Sequence, residues 1–151
     1  ENMALKGYDG PPMSKWGLFM DWSYITDFAA QKVKDYDVVI PALFAPVRVL
    51  SGGNLQKLML SREISDNTKI IIAVQPTWGL DIGAAEFVHK RLLEARAAGA
   101  AIILVSKDLS ELTLLADRIS GMYRGRISGT VETPKASDIE KIGMLMAGMG
   151  S

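Results

Sequence analysis

The chain has 151 residues, 48% apolar and 23% charged, the size and balance of one globular domain. Its 17 basic and 17 acidic residues leave no net charge with histidine neutral, which removes the electrostatic case for a nucleic-acid partner. The lack of cysteine excludes a disulfide frame and thiol chemistry, no apolar run is long enough to span a bilayer, and no leader pattern points to secretion.

The first fifty residues have little periodicity at their start. Gly10-Pro11-Pro12 breaks the chain, and Met13, Trp16, Leu18, Phe19 and Met20 cluster without helical spacing. Local core is the preferred reading for most of this region. For the stretch from Met13 to Met20, contact with a partner protein stays open, because methionine adapts to binding faces. A helix is expected from Asp21 or Ser23, with Trp22, Ile25, Ala29, Val33 and Tyr36 on one buried stripe. The segment from Val38 to Val49, interrupted by Pro41 and Pro46, is expected to be extended.

The most informative stretch follows. Leu50-Ser51-Gly52-Gly53-Asn54 opens into Leu55, Gln56, Lys57 and the apolar Leu58, Met59 and Leu60. Glycines allow a ligand to approach the backbone, and a helix start offers unpaired N–H groups and the positive end of the dipole. Phosphate suits such a place, although a plain turn with an N-cap has the same residues.

Lys69 to Val74 forms a short apolar run typical of a parallel strand buried on both faces. The polar loop from Gln75 to Asp81 then lies where open α/β sheets bind ligands. A helix is predicted from about Ala84 to Ala98, with Ala85, Val88, Leu92 and Ala95 on its stripe. Glu86 and Lys90 are spaced to pair, and Gly99 is suited to end this helix. Ala101 to Val105 is a second strand, completing a βαβ unit with a right-handed crossover. Asp108 and Glu111 stand at a helix start and read as capping residues. Arg124-Gly125 is the turn of a hairpin between Ile119–Tyr123 and Arg126–Val131. A closing helix runs from Ser137 to Ala147, and the end from Gly148 to Ser151 should fray. His89 reads as a solvent-edge residue, while Trp78 is left between covering a ligand site and packing on a neighbour.

In this order and spacing the motifs resemble ABC-type ATPases over roughly two thirds of the chain. Leu50 to Asn54 resembles the family signature, with Asn54 in place of the usual glutamine. Ile70 to Thr77 is similar to the Walker B strand, Gly79-Leu80-Asp81 to the D-loop, and Val105 to Leu109 to the switch-histidine loop. In detail the chain most resembles the second ATPase half of tandem subunits that serve importers of simple sugars and nucleosides. The resemblance implies an α/β fold, a partial P-loop NTPase (RecA-like) ABC ATPase core that lacks the P-loop strand, with an N-terminal helical subdomain. It divides the chain into residues 1–50 (helical subdomain), 51–131 (second half of the core) and 132–151 (closing helix and tail).

No Gly-x-x-x-x-Gly-Lys-Ser/Thr occurs, so the resemblance places the P-loop upstream of Glu1. It also implies ATP and Mg2+ as cofactors of the full-length protein, none of them held tightly by this chain alone. Ser51, Gly52, Gly53, Asn54 and Asp81 would meet ATP bound to a second ATPase half. Val74 stands at the Walker B aspartate position, Gln75 at the glutamate position and Lys107 at the switch-histidine position. Valine cannot hold a hydrated cation and glutamine lacks a general base, whose loss costs about 10²–10⁴-fold in rate. The resident hydrolytic site is therefore expected to be degenerate, with no metal ligand and no catalytic residue intact. Membrane-spanning permease subunits are the other implied partner, at the cytoplasmic face of the membrane, with the Met13–Met20 stretch as a candidate docking surface. Without the P-loop strand, the edge of the strand ending at Val105 would be bare, and self-association through it is expected. The competing reading is a non-transport or regulatory nucleotide-responsive module of the same superfamily.

Overall fold

The computed structural model describes residues 1–16, 19–65 and 67–149. Leu18 of the apolar cluster, and Gly150 and Ser151 of the expected frayed end, lie outside the described residues. Two compact units are formed, one from Glu1–Lys69 with Thr77–Ala100, the other from Ile70–Pro76 with the chain from Ala101 onward.

The first unit is largely helical. A short antiparallel pair, β1 (Ser14–Lys15) and β2 (Phe19–Met20), leads into helix α1 (Trp22–Asp35). Asp21 starts α1 by accepting a hydrogen bond from the Tyr24 N–H at 3.1 Å. The Lys15 ammonium, 2.8 Å from the same carboxylate, and then the Tyr24 N–H hold the Asp21 carboxyl below its usual range. Of the predicted stripe, Ile25 and Tyr36 are buried and Ala29 and Val33 half-buried, but Trp22 is 51% exposed. Standing at the first helical position, Trp22 lines an open groove of about 810 Å³ together with Ile25, Val33, Phe44 and Leu58. Trp16 and Phe19 are exposed as well, so these two do not belong to a local core.

The lead-in to the glycine pair is not extended throughout. Pro46, with its ring-fixed φ of −61°, initiates a 3-10 turn at Val47–Val49. Helix α2 (Gly52–Glu63) follows. Helix α3 (Ile82–Ala97) buries Ala84, Val88, Leu92 and Ala95. The predicted Ala85 gives way to Ala84 at the head of this stripe, because Ala84 is the residue that meets α2. Lys90 and Arg91 approach Glu94, at 4.0 and 2.9 Å, instead of the expected Glu86/Lys90 pair. Gly99 takes φ +95° just beyond the helix, a conformation that a Cβ disfavours.

The second unit carries the strands. β3 (Ile70–Val74) and β4 (Ala101–Val105) pair in parallel, from Ile70↔Ala101 to Val74↔Val105. Helix α4 (Leu109–Leu115) precedes a hairpin of β5 (Arg118–Tyr123) and β6 (Arg126–Glu132). Its turn residues Arg124 and Gly125 both have positive φ, the geometry whose twist matches two paired strands. A 3-10 turn at Ala136–Asp138 leads into the closing helix α5 (Ile139–Met146). Leu112, Ile119, Val131, Ile142 and Leu145 make the core, with Leu104, Leu109 and Ala116 packed against it. Gly121 and Gly129 let α5 settle on the hairpin, since a Cβ at either would lie 2.6 Å from the Leu145 side chain.

The expectation that β3 is buried on both faces is not met. Ile70, Ile72 and Val74 are 66%, 67% and 63% exposed, and Ile103 and Val105 of β4 share that open face. Apolar runs are continuous in such strands because both faces are built to be covered, yet the described sheet has only two strands and one covered face.

Candidate functional site

The glycine pair sits at the first turn of α2. Ser51 is the N-cap, in extended conformation, and its carbonyl accepts the first helical hydrogen bond from Leu55 N at 2.8 Å. Its hydroxyl oxygen accepts from the Asn54 N–H at 3.4 Å and from the Asn54 side-chain amide at 2.9 Å. The Gly52 and Gly53 N–H groups precede any possible acceptor within the helix, so they are the donors left for a guest. No acidic residue occupies this first turn, so nothing offsets the positive end of the dipole there.

The two glycines do different things. A Cβ at Gly52 would meet nothing within 4 Å, so its backbone faces open space. A Cβ at Gly53 would lie 3.2 Å from the Ala84 Cβ, tighter than ordinary packing. Gly53 therefore lets the first turns of α2 and α3 touch. Asp81 is the N-cap of α3 and accepts from the Ala84 N–H at 2.8 Å, which places its cap against the glycine turn. Gly79, with φ +70°, makes the preceding bend.

The loop after α1 is fastened to this turn by contacts that residue patterns did not single out. Val39 N donates to the Asn54 side-chain oxygen at 2.7 Å. Lys57, two turns into α2, donates to the Asp37 carbonyl at 2.9 Å and pairs with the Asp37 carboxylate at 3.1 Å. Asp37 has φ +47°, and its carbonyl is held by that ammonium. Arg91 donates to the Asp35 carbonyl and lies over the Tyr36 and Phe87 rings, at 4.4 and 5.0 Å. The only advance signal was an asparagine at the third helical position, a residue type that bonds to nearby backbone.

A second constellation lies in the second unit, at the carboxyl ends of β3 and β4. The parallel register brings Val74, Gln75 and Lys107 to the same end of the sheet. Gln75 has φ +49° and its N–H donates to the Val105 carbonyl at 2.8 Å, extending the ladder past Val74. A left-handed conformation is unusual for glutamine and marks a turn forced by the surroundings. Lys107 is exposed, and Asp108 caps α4 by accepting from Ser110 N at 2.8 Å and Glu111 N at 3.2 Å. Glu111 stands in the first turn of α4, as expected, with its side chain buried at 2% exposure. Trp78 is 72% exposed and His89 half-buried on α3.

The two places differ in what they fit. The N–H groups and open face at Gly52 suit a phosphate oxygen. The strand ends do not fit Mg2+, because Val74 is a hydrocarbon, Gln75 a neutral amide and Lys107 a cation. Among the described residues no group of three or more His, Asp or Glu side chains could hold a metal. Among them, too, no helix is long and apolar enough to cross a membrane.

Known proteins similar to this chain share its fold and most of its length. The chain is 41% identical over 148 residues to a nucleoside import ATP-binding protein of Lactococcus lactis, covering 98% of this chain and 29% of that protein. A guanosine import ATP-binding protein of Bacillus subtilis is 43% identical over the same coverage, 98% and 29%. A glucose import ATP-binding protein of Haloferax volcanii is 40% identical, covering 89% of this chain and 24% of that protein. The chain thus spans less than a third of the length of the curated relatives it matches. No family model matches. Among solved structures, a nucleotide-free ATP-binding cassette of an ABC transporter aligns with a TM-score of 0.70. It covers 98% of this chain and 61% of that one at 19% identity, which speaks for the fold alone. The fold is a portion of the P-loop NTPase architecture of ABC cassettes, and along nearly its whole length the chain is similar to a segment of import ATP-binding proteins.

Proposed function

We propose that this chain is part of the ATP-binding component of an ABC importer for a nucleoside or a simple sugar. In this reading the first turn of α2 completes a nucleotide site built on another ATPase half. Ser51, Gly52 and Gly53 would face the terminal phosphate, with Asp81 beside them, and Mg2+ would be supplied by that other half. The observation that carries the reading is the Gly52 backbone, placed at a capped helix start with no neighbour over it. The resident position at the ends of β3 and β4 would not hydrolyse ATP, because Val74, Gln75 and Lys107 can neither bind a metal nor act as a carboxylate base, and the Asp108 carboxylate is engaged in capping α4.

The helix-dipole contribution to a phosphate is small, roughly 0.3–1 kcal/mol and up to about 2 when partly buried. Tight nucleotide binding would therefore need the partner half. Attachment to the cytoplasmic face of a membrane would come through permease subunits. The apolar groove lined by Trp22, Phe44 and Leu58 offers room for a partner segment.

The test uses the full-length protein. It should co-purify with a membrane-spanning permease and drive ATP-dependent uptake of a nucleoside or sugar in proteoliposomes. Nucleotide binding with no permease partner and no uptake would overturn the importer reading in favour of a regulatory module.

A further inference from the structure

We infer that Asn54 is a positioning residue that holds the Ser51 hydroxyl as an outward hydrogen-bond donor, with Val39 setting the sense of the relay. The inference rests on the reading above, that the first turn of α2 receives a nucleotide phosphate. The Val39 N–H can only donate, and it lies 2.7 Å from the Asn54 side-chain oxygen. That contact fixes which way round the amide stands. Its nitrogen then faces Ser51 and donates to Oγ at 2.9 Å. The Asn54 backbone N–H addresses the same oxygen at 3.4 Å.

A serine hydroxyl has two lone pairs and one proton. With both lone pairs addressed from Asn54, the proton is what remains for an outside acceptor. A phosphate oxygen facing the turn needs a donor, so the relay presents Ser51 in the productive sense before the ligand arrives. Each bond in such a chain polarises the next, from Val39 through Asn54 to Ser51. The start of the relay is itself held in place. Val39 follows a loop anchored by Lys57 at Asp37 and by Arg91 at Asp35 and Tyr36.

The experiment measures equilibrium binding of a non-hydrolysable ATP analogue to the full-length protein assembled with its partner ATPase half. Asn54→Asp keeps an acceptor for Val39 but turns an acceptor toward Ser51, whose proton is then drawn inward. We expect binding about 10- to 100-fold weaker, the effect of losing one hydrogen bond to a charged group. In a Ser51→Ala background, the same Asn54→Asp change should add less than about twofold, since it acts through the missing hydroxyl. An equal loss in both backgrounds would mean simple charge repulsion and would overturn the inference. Wild-type binding by Asn54→Asp, with Ser51→Ala impaired, would overturn it too. Unchanged binding by Ser51→Ala would bring down the phosphate reading itself, a distinct outcome. If Asn54→Asp does not fold, Asn54→Ser takes its place. It removes the amide without adding charge, and its smaller loss, about three- to tenfold, should vanish in the Ser51→Ala background.

Discussion

The first turn of α2 and the carboxyl ends of β3 and β4 are both points where an element of structure stops and leaves polar backbone to be satisfied. At the first, the satisfying groups are Ser51 and Asn54, and the glycine backbone beside them stays open. At the second, Gln75 folds back onto the Val105 carbonyl, and its flanking side chains are Val74 and Lys107. On the proposed function, the difference lies in the unequal demands that binding a phosphate and cleaving it place on sequence. Binding draws on backbone N–H groups, which any sequence with glycine in the right place can offer. Cleavage draws on particular carboxylates and a base, which one substitution each can remove.

The largest effect that separates the regions should come from the core of the second unit. Ile142 has 0% exposure and packs with Leu112, Ile119 and Val131. Ile142→Ala should cost about 2–5 kcal/mol of stability. Urea unfolding would measure it, and native-state hydrogen exchange should show the loss in the hairpin and α5 while α2 keeps its protection. Equal loss of protection in α2 would mean that the two units do not open separately.

Next come the two glycines. Gly52→Ala has open space for its methyl, whereas Gly53→Ala presses on Ala84 at 3.2 Å. The gain of alanine over glycine in a helix, about 0.5–1 kcal/mol, is common to both, so the Ala84 contact sets the order and Gly52→Ala should be the more stable variant by about 1 kcal/mol. Thermal unfolding of the pair would check the order. Equal stabilities would show that the first turns of α2 and α3 yield freely. Ser51→Ala should cost about 1 kcal/mol through loss of the cap, apart from any effect on nucleotide.

Much of this was legible in the sequence, and the reasons are local. β4 and the hairpin turn at Arg124-Gly125 follow from short apolar runs and from a glycine where φ must be positive. The start of α1 follows from Asp21, whose side chain reaches one turn forward. What escaped depends on surroundings that a pattern does not contain. Trp22 fits the stripe of α1 by spacing but stands at its first position, facing a groove. Ala84 in place of Ala85 follows from contact with Gly53, a residue 31 positions away by number. The Val39–Asn54 and Asp37–Lys57 links join residues 15 and 20 apart through a left-handed loop residue, and no periodicity encodes them.

The smallest effect is an acid response confined to the first unit. Hydrogen bonding from Lys6, aided by Arg62, holds the Glu63 carboxyl below its usual range. A lowered folded-state pKa means that this stabilisation is complete above the unfolded value and drains as pH falls through the folded one. Stability should therefore decline at about pH 4 and below, and Glu63→Gln should flatten that decline. An unchanged acid limb in the variant would show that the Lys6–Glu63 contact is screened at the surface.

The most direct measurement is steady-state ATP turnover by the full-length protein with its partner half, comparing Gly52→Val with the Gln75→Ala/Lys107→Ala double variant. Gly52→Val, whose side chain would fill the space a phosphate needs and hold it off the backbone N–H groups, should lower kcat about a hundredfold, while the double variant stays within about twofold. Turnover that survives Gly52→Val but is abolished by changing Gln75 and Lys107 would contradict the proposed function.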